Sequence, residues 1–144
     1  MLNQITMLQY ALRLCRAHSM DNRVILVVDD TNIVREGTIL VLRYRFNYET
    51  EEAANGLIAI EKLELKTFDA ILMDCNMPEM DGFECTAKIR ELEKLTGTRA
   101  IIIGLTASNA RDIREECLKA GMDDYIDKSC SSLELNEILM KWLR

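Results

Sequence analysis

Apolar residues in this chain fall into short continuous runs separated by stretches with helical spacing. Val24–Val28 is uninterrupted and largely β-branched, which predicts a central strand. Asp29-Asp30-Thr31-Asn32 then supplies helix-capping side chains, and Ile33, Leu40, Val41 and Tyr44 share one helical stripe. Tyr48–Glu52 alternates weakly, as an edge strand does. Asn55-Gly56 marks a turn, and Ile58–Leu65 repeats apolar residues at helical intervals. Ala70–Met73 is a second fully apolar strand, followed by a helix over Phe83–Leu95 with Phe83, Ala87, Ile89 and Leu92 as its apolar set. Ala100–Leu105 reads as a third buried strand and Arg111–Ala120 as a helix closed by Gly121. A short strand at Tyr125-Ile126 and an amphipathic helix over Leu133–Leu143 complete the series.

Five strands therefore alternate with five helices. Continuously apolar strands belong to a parallel sheet covered on both faces. Strict alternation in a chain this short predicts an open, doubly wound α/β sandwich. The expected arrangement is a flavodoxin-like (βα)5 fold with strand order 2-1-3-4-5. The repeating pattern starts at Arg23, so the expected domain spans 23–144. Residues 1–22 form an extension, helical or disordered. That extension contains Ile5, Leu8, Leu12 and Cys15 at helical spacing and no acid before Asp21. An organelle-targeting peptide has such a pattern, but the segment is short and not rich in serine, which favours a leader helix or a stretch upstream of a start at Met20.

Composition narrows the function classes. The 144 residues are 49% hydrophobic and 29% charged, with a net charge of −6. All 24 acidic residues lie from Asp21 onward, whereas Arg13 and Arg16 precede it, so the domain is more acidic than the whole chain. A basic face able to displace counterions is missing, which argues against direct nucleic-acid binding. No apolar run approaches the ~20 residues of a membrane span. Five cysteines without a C-x-x-C pair argue against zinc and against a disulfide framework, and free thiols suggest a cytoplasmic setting.

Ligand sites in doubly wound sheets lie at the carboxyl ends of the strands. Here those ends carry Asp29 and Asp30, then Asp74, Thr106 and Lys128. Singly, each has an ordinary reading as a cap or a surface residue. Together, three carboxylates in a partly desolvated pocket call for a cation, and hard oxygen ligands with open positions suit Mg²⁺. A carboxylate at the end of a buried strand, as in AILMDCNMPEMDG (70–82), is also a positioned nucleophile able to attack phosphorus. Lys128 and the Thr106 hydroxyl would then serve the transferring oxygens. Pro78, the only proline, holds 76–81 as a loop and leaves a backbone carbonyl near Asp74 for the metal.

VILVVDD (24–30), ILMDCNMPEMDGFE (71–84), IIIGLTA (101–107) and AGMDDYIDKS (120–129) together resemble the response-regulator receiver domain of two-component signalling, in a form like those attached to hybrid kinases. The resemblance implies that Asp74 accepts a phosphoryl group from a phosphohistidine on a histidine kinase or histidine phosphotransfer protein. It implies Mg²⁺ held by Asp29, Asp30, Asp74 and the main-chain carbonyl of Asn76. Lys128 would pair with the phosphoryl group, and Thr106 and Tyr125 would act as the switch. A downstream effector protein or domain would read the face made by 110–120, 125–127 and 133–143. Such a domain is a signalling module that assists its own phosphorylation and dephosphorylation.

One position departs from the pattern. The family usually has a cis-proline after the strand-end lysine, and Ser129 stands there instead. A cis bond before a residue other than proline costs ~3–4 kcal/mol, so the loop either runs trans or is held under strain. Three rival readings remain in view. A docking module that is never phosphorylated would fit Ser129 but not the complete acidic cluster. An aspartate-nucleophile phosphatase needs a second aspartate two residues on, where Asn76 stands. A flavodoxin-type cofactor carrier needs a phosphate loop rich in Ser, Thr and Gly rather than Asp29-Asp30.

Overall fold

The computed structural model describes residues 23–107 and 111–143. The extension expected over 1–22 lies outside them, as does Ala110 at the start of the expected output face. The described chain runs β1 (Val24–Val28), α1 (Asn32–Leu40, continuing through a π-helical turn at Val41–Arg45), β2 (Glu49–Ala53), α2 (Gly56–Leu65) and β3 (Ala70–Asp74). It goes on through α3 (Gly82–Thr96), β4 (Ile101–Thr106), α4 (Arg111–Ala120), β5 (Asp124–Asp127) and α5 (Ser132–Trp142). All strand pairs are parallel and the order is β2-β1-β3-β4-β5, the one expected for the flavodoxin-like class.

Alternation along the strands splits the core in two. Val24, Leu26, Val28, Ile71, Met73 and Ile102 face α2, α3 and α4, where they meet Ala59, Cys85, Ile89 and Cys117. Ile25, Val27, Leu72, Ile103 and Leu105 face α1 and α5, where they meet Leu42, Leu135 and Leu139. No helix among the described residues is long and apolar enough to cross a membrane.

α1 turns a different face inward from the one expected, and α3 keeps Phe83 and Ile89 on the core side as expected but not Ala87. In α1 the stripe of Ile33, Leu40 and Tyr44 points to solvent, with Tyr44 85% exposed. The inward positions belong instead to Arg35, Ile39 and Leu42. Both stripes have helical period, and the sheet side goes to the one whose arginine reaches the buried Asp29 carbonyl and Glu52. Within α3, Ala87 is exposed, while Cys85, Thr86, Ile89 and Glu93 are buried. Glu93 is buried because its carboxylate accepts from the Ala100 N–H (2.7 Å) and pairs with Arg90.

The turn from β3 into α3 is tight. Asp81 caps the helix, its carboxylate accepting from the Glu84 N–H at 2.8 Å. Gly82 donates its N–H to the Cys75 carbonyl at 3.0 Å. A Cβ on Gly82 would stand 2.2 Å from the Asp74 carbonyl oxygen, so only glycine fits at this approach. Gly82→Ala should therefore destabilise the domain by about 1–3 kcal/mol, the usual cost of overpacking. Gly37→Ala, at a mid-helix position with open space around it, should stabilise it by about 0.5–1 kcal/mol. Urea unfolding midpoints of the two variants should move in opposite directions.

Candidate functional site

The strand order brings the ends of β1 and β3 side by side, so their terminal carboxylates converge. Asp29 and Asp74 are buried and Asp30 is exposed at the mouth, and ligand oxygens of all three lie within 4.8 Å of one another. Lys128, which follows β5, reaches across the sheet edge. Its Nζ stands 3.0 Å from Asp74 Oδ1 and 3.2 Å from Asp29 Oδ2. Thr106 ends β4 one residue past Leu105, the register partner of Asp74, and is buried. Its carbonyl accepts the Lys128 N–H at 2.7 Å.

Asp74 Oδ1 also accepts the Asn76 N–H at 3.1 Å, so one carboxylate oxygen is engaged. Asp74 Oδ2 is buried with no hydrogen-bond partner, and the buried Asp29 Oδ2 has only the Lys128 ammonium, at 3.2 Å. Orphaned carboxylate oxygens are rare in folded proteins because each carries a desolvation cost. One such oxygen on Asp74, beside the carboxylates of Asp29 and Asp30, suits a hard divalent cation such as Mg²⁺.

The charges respond to this crowding. Burial pushes the Asp74 carboxyl up to about 6, against the opposing pull of Lys128 and the Asn76 N–H. For Lys128, burial works against the charged amine, but pairing with Asp74 and Asp29 outweighs it and the net shift is upward. The neighbouring thiol of Cys75 is pushed well above the ordinary cysteine range, mainly by burial. It is a core group rather than a reactive one.

Sequence reasoning missed Arg35. Its guanidinium donates to the Asp29 carbonyl (2.7 Å), to Asn32 Oδ1 (2.8 Å) and to Glu52 Oε2 (3.0 Å), tying the end of β1 to α1 and to the neighbouring β2. The sole clue was an arginine one turn into a helix opened by Asp-Asp. The capping expectation also shifts. Thr31 occupies the N-cap without a side-chain bond, and its own N–H donates to Asp29 Oδ1 at 2.8 Å, which fixes that carboxylate. Tyr125 stands apart from the acidic pocket. It lies opposite Gly104 on β5, packs partly against the α2–α4 side of the core and lines a groove of about 860 Å³ between α4 and α5.

With this geometry in place, likeness to known proteins adds a family. Residues 25–140 match the Response regulator receiver domain. Hybrid signal transduction histidine kinase B of Dictyostelium discoideum is 36% identical over 129 residues, covering 83% of this chain and 6% of the kinase. Response regulator mcs4 of Schizosaccharomyces pombe is 32% identical over 142 residues, covering 82% of this chain and 27% of that protein. The chain thus spans a small part of these relatives. Among solved structures, the receiver domain of a Pseudomonas aeruginosa sensor histidine kinase, with magnesium coordinated in its active site cleft, superposes with a TM-score of 0.76. It is 38% identical and covers 85% of this chain and 98% of its own. A co-crystal structure of a Saccharomyces cerevisiae histidine phosphotransfer signalling protein with the receiver domain of its downstream response regulator gives a TM-score of 0.78. There the identity is 27%, over 86% of this chain and 90% of that one.

The raised Asp74 carboxyl has a thermodynamic consequence. A carboxyl whose folded value lies near 6, above its ordinary 3.8, makes the folded state hold its proton more tightly. Ionising it then costs stability as the pH rises from about 4 to 6. In metal-free buffer, Asp74→Asn should be more stable than the native chain by about 2 kcal/mol at pH 7.5. That advantage should shrink steadily below pH 6, measured by urea unfolding at each pH.

Proposed function

Because the chain belongs to the response regulator receiver family, a signalling module rather than a classical enzyme, we propose that Asp74 accepts a phosphoryl group from a phosphohistidine on a partner protein. The observation that carries this reading is the orphaned, buried Asp74 Oδ2 beside Asp29 and Asp30, with Lys128 at 3.0 Å on the other oxygen. In the transfer, a carboxylate oxygen of Asp74 bonds to phosphorus while the phosphorus–nitrogen bond to the imidazole breaks. The imidazole keeps the electron pair. With its carboxyl near 6, Asp74 is ionised at neutral pH and ready as the nucleophile.

Asp29, Asp30, Asp74 and the main-chain carbonyl of Asn76 would hold Mg²⁺, which when bound supplies positive charge to the transferring oxygens. Lys128 neutralises the same developing charge from the opposite side. The Thr106 hydroxyl hydrogen-bonds a phosphoryl oxygen, and Tyr125 moves into the space that Thr106 leaves. Phosphorylation adds about −1.5 to −2 charges. The new contacts favour one of two packings of the face formed by α4, β5 and α5, which a downstream effector protein or domain reads. A cytoplasmic setting belongs to the same reading.

The exposed stripe of α1 supports a protein donor rather than a small molecule alone. Ile33 and Val34 share a cavity wall with Lys128, and Leu40 and Tyr44 extend the uncovered strip along the helix. A donor that buries this strip brings its phosphohistidine to the mouth of the pocket. Contiguous exposed apolar surface of this kind marks interaction sites.

Intact mass after incubation with acetyl phosphate and Mg²⁺ should show one added phosphoryl group on the native chain and none on Asp74→Ala. An unmodified native chain with both acetyl phosphate and a phosphorylated histidine phosphotransfer protein would overturn the assignment. The double variant Ile33→Ser/Tyr44→Ala should slow transfer from the phosphotransfer protein by about tenfold, the loss expected for two interface anchors. It should leave modification by acetyl phosphate unchanged.

A further inference from the structure

Lys128 must extend a flexible four-carbon side chain over the sheet edge to two buried carboxylates, so the backbone from which it starts has to be fixed. A lysine ammonium is a mobile point charge and does not orient itself. In most receivers a proline follows this lysine, whereas here the following residue is Ser129. The described chain contains no cis peptide bond, so the Lys128–Ser129 bond is trans.

The structure supplies a different fixture. Asp127 Oδ1 accepts from both the Ser129 N–H, at 2.7 Å, and the Ser129 hydroxyl, at 2.6 Å. The Cys130 N–H closes the same turn onto the Asp127 carbonyl at 3.0 Å, while the Lys128 N–H donates to the Thr106 carbonyl at 2.7 Å. Lys128 is thus bracketed by residues pinned to one another, and its own backbone is pinned to β4. Proline at 129 has neither the N–H nor the hydroxyl, so this fixture exists because proline is absent.

We infer that Asp127 and Ser129 form a side-chain clamp that positions Lys128 toward Asp74 and Asp29, taking the place of the usual proline. The inference rests on the reading of Asp74 as phosphoacceptor for its functional meaning, but not for its geometry. Asp127 and Ser129 are positioning residues and touch none of the reacting atoms. The Asp127 carboxyl is held below its ordinary value by the Ser129 hydroxyl and N–H, so it is ionised and a strong acceptor at neutral pH.

Competitive acetylation with limiting acetic anhydride tests the clamp on the full, unphosphorylated chain. Mass spectrometry reads the reactivity of Lys128 relative to Lys94, whose side chain is 70% exposed. Pairing with two carboxylates protects the Lys128 amine, and releasing it should raise its relative reactivity. Asp127→Ala should raise it about tenfold, the scale set by losing hydrogen bonds to a charged acceptor. Ser129→Ala, which keeps the N–H bond, should raise it less. Asp127→Asn, whose amide oxygen can accept both donors, should stay near native and separate the clamp from a general effect of altering the loop. If Asp127→Ala does not fold, as judged by its thermal unfolding, Ser129→Ala alone must still show the rise. Native-like reactivity in every folded variant overturns the clamp. Phosphorylation by acetyl phosphate is followed in parallel and should slow in Asp127→Ala and recover in Asp127→Asn. A native chain that takes no phosphoryl group while the labelling follows expectation overturns the role of Asp74 and leaves the clamp standing.

Discussion

Asp29, Asp30 and Asp74 hold ligand oxygens within 4.8 Å of one another, with two of the three side chains buried. At that distance two unit charges repel by roughly 3–4 kcal/mol at an effective dielectric constant near 20. The surrounding structure is arranged around this repulsion. Lys128 offsets part of it from the β5 side. The N–H groups of Thr31 and Asn76 each donate to a carboxylate of the cluster. What remains least compensated is Asp74 Oδ2, buried without a hydrogen-bond donor, whereas Asp29 Oδ2 has the Lys128 ammonium at 3.2 Å. The repulsion left over is the capacity of the site to attract positive charge, so the same crowding that strains the fold prepares it for a cation.

Strand order is what makes that crowding possible. Because β1 lies between β2 and β3, the ends of β1 and β3 are neighbours although 44 positions separate Asp30 from Asp74 in the chain. Gly82 keeps the return path short, since any side chain there would meet the Asp74 backbone. Arg35 fixes the other margin by joining the Asp29 carbonyl, the start of α1 and Glu52 in the loop end of β2. Chain geometry thus determines the charge geometry.

The strands were legible in the sequence because their signal is local. Val24–Val28 and Ala70–Met73 are apolar on both faces, which only a covered parallel strand tolerates, and the acids beyond them mark the strand ends. Which face of α1 turns inward was not legible. Ile33, Leu40 and Tyr44 have the right period, and so do Arg35, Ile39 and Leu42. The choice between them depends on acceptors at Asp29 and Glu52 that only the folded chain brings into reach. The inward turn of Glu93 and the outward turn of Ala87 in α3 have the same origin, since Glu93 is buried through Arg90 and the Ala100 N–H. The acidic cluster was legible residue by residue. The Asp127–Ser129 contact was not, because a serine in place of a proline reads as a loss until its donors are seen to be used.

The two outer strands of the sheet carry a further consequence. β2 sets Glu49, Glu51 and Glu52 along one edge, with Glu51 paired to Lys62 and Lys66. β5 ends the other edge with Asp124 and Asp127. An open strand edge is a template on which another chain can assemble, and charged side chains are a common way of blunting it. Both outer strands carry such charges, which disfavours the addition of a further strand. A unit with that property can be strung beside other folded units in a long polypeptide and remain a separate piece, free of strand exchange with its neighbours.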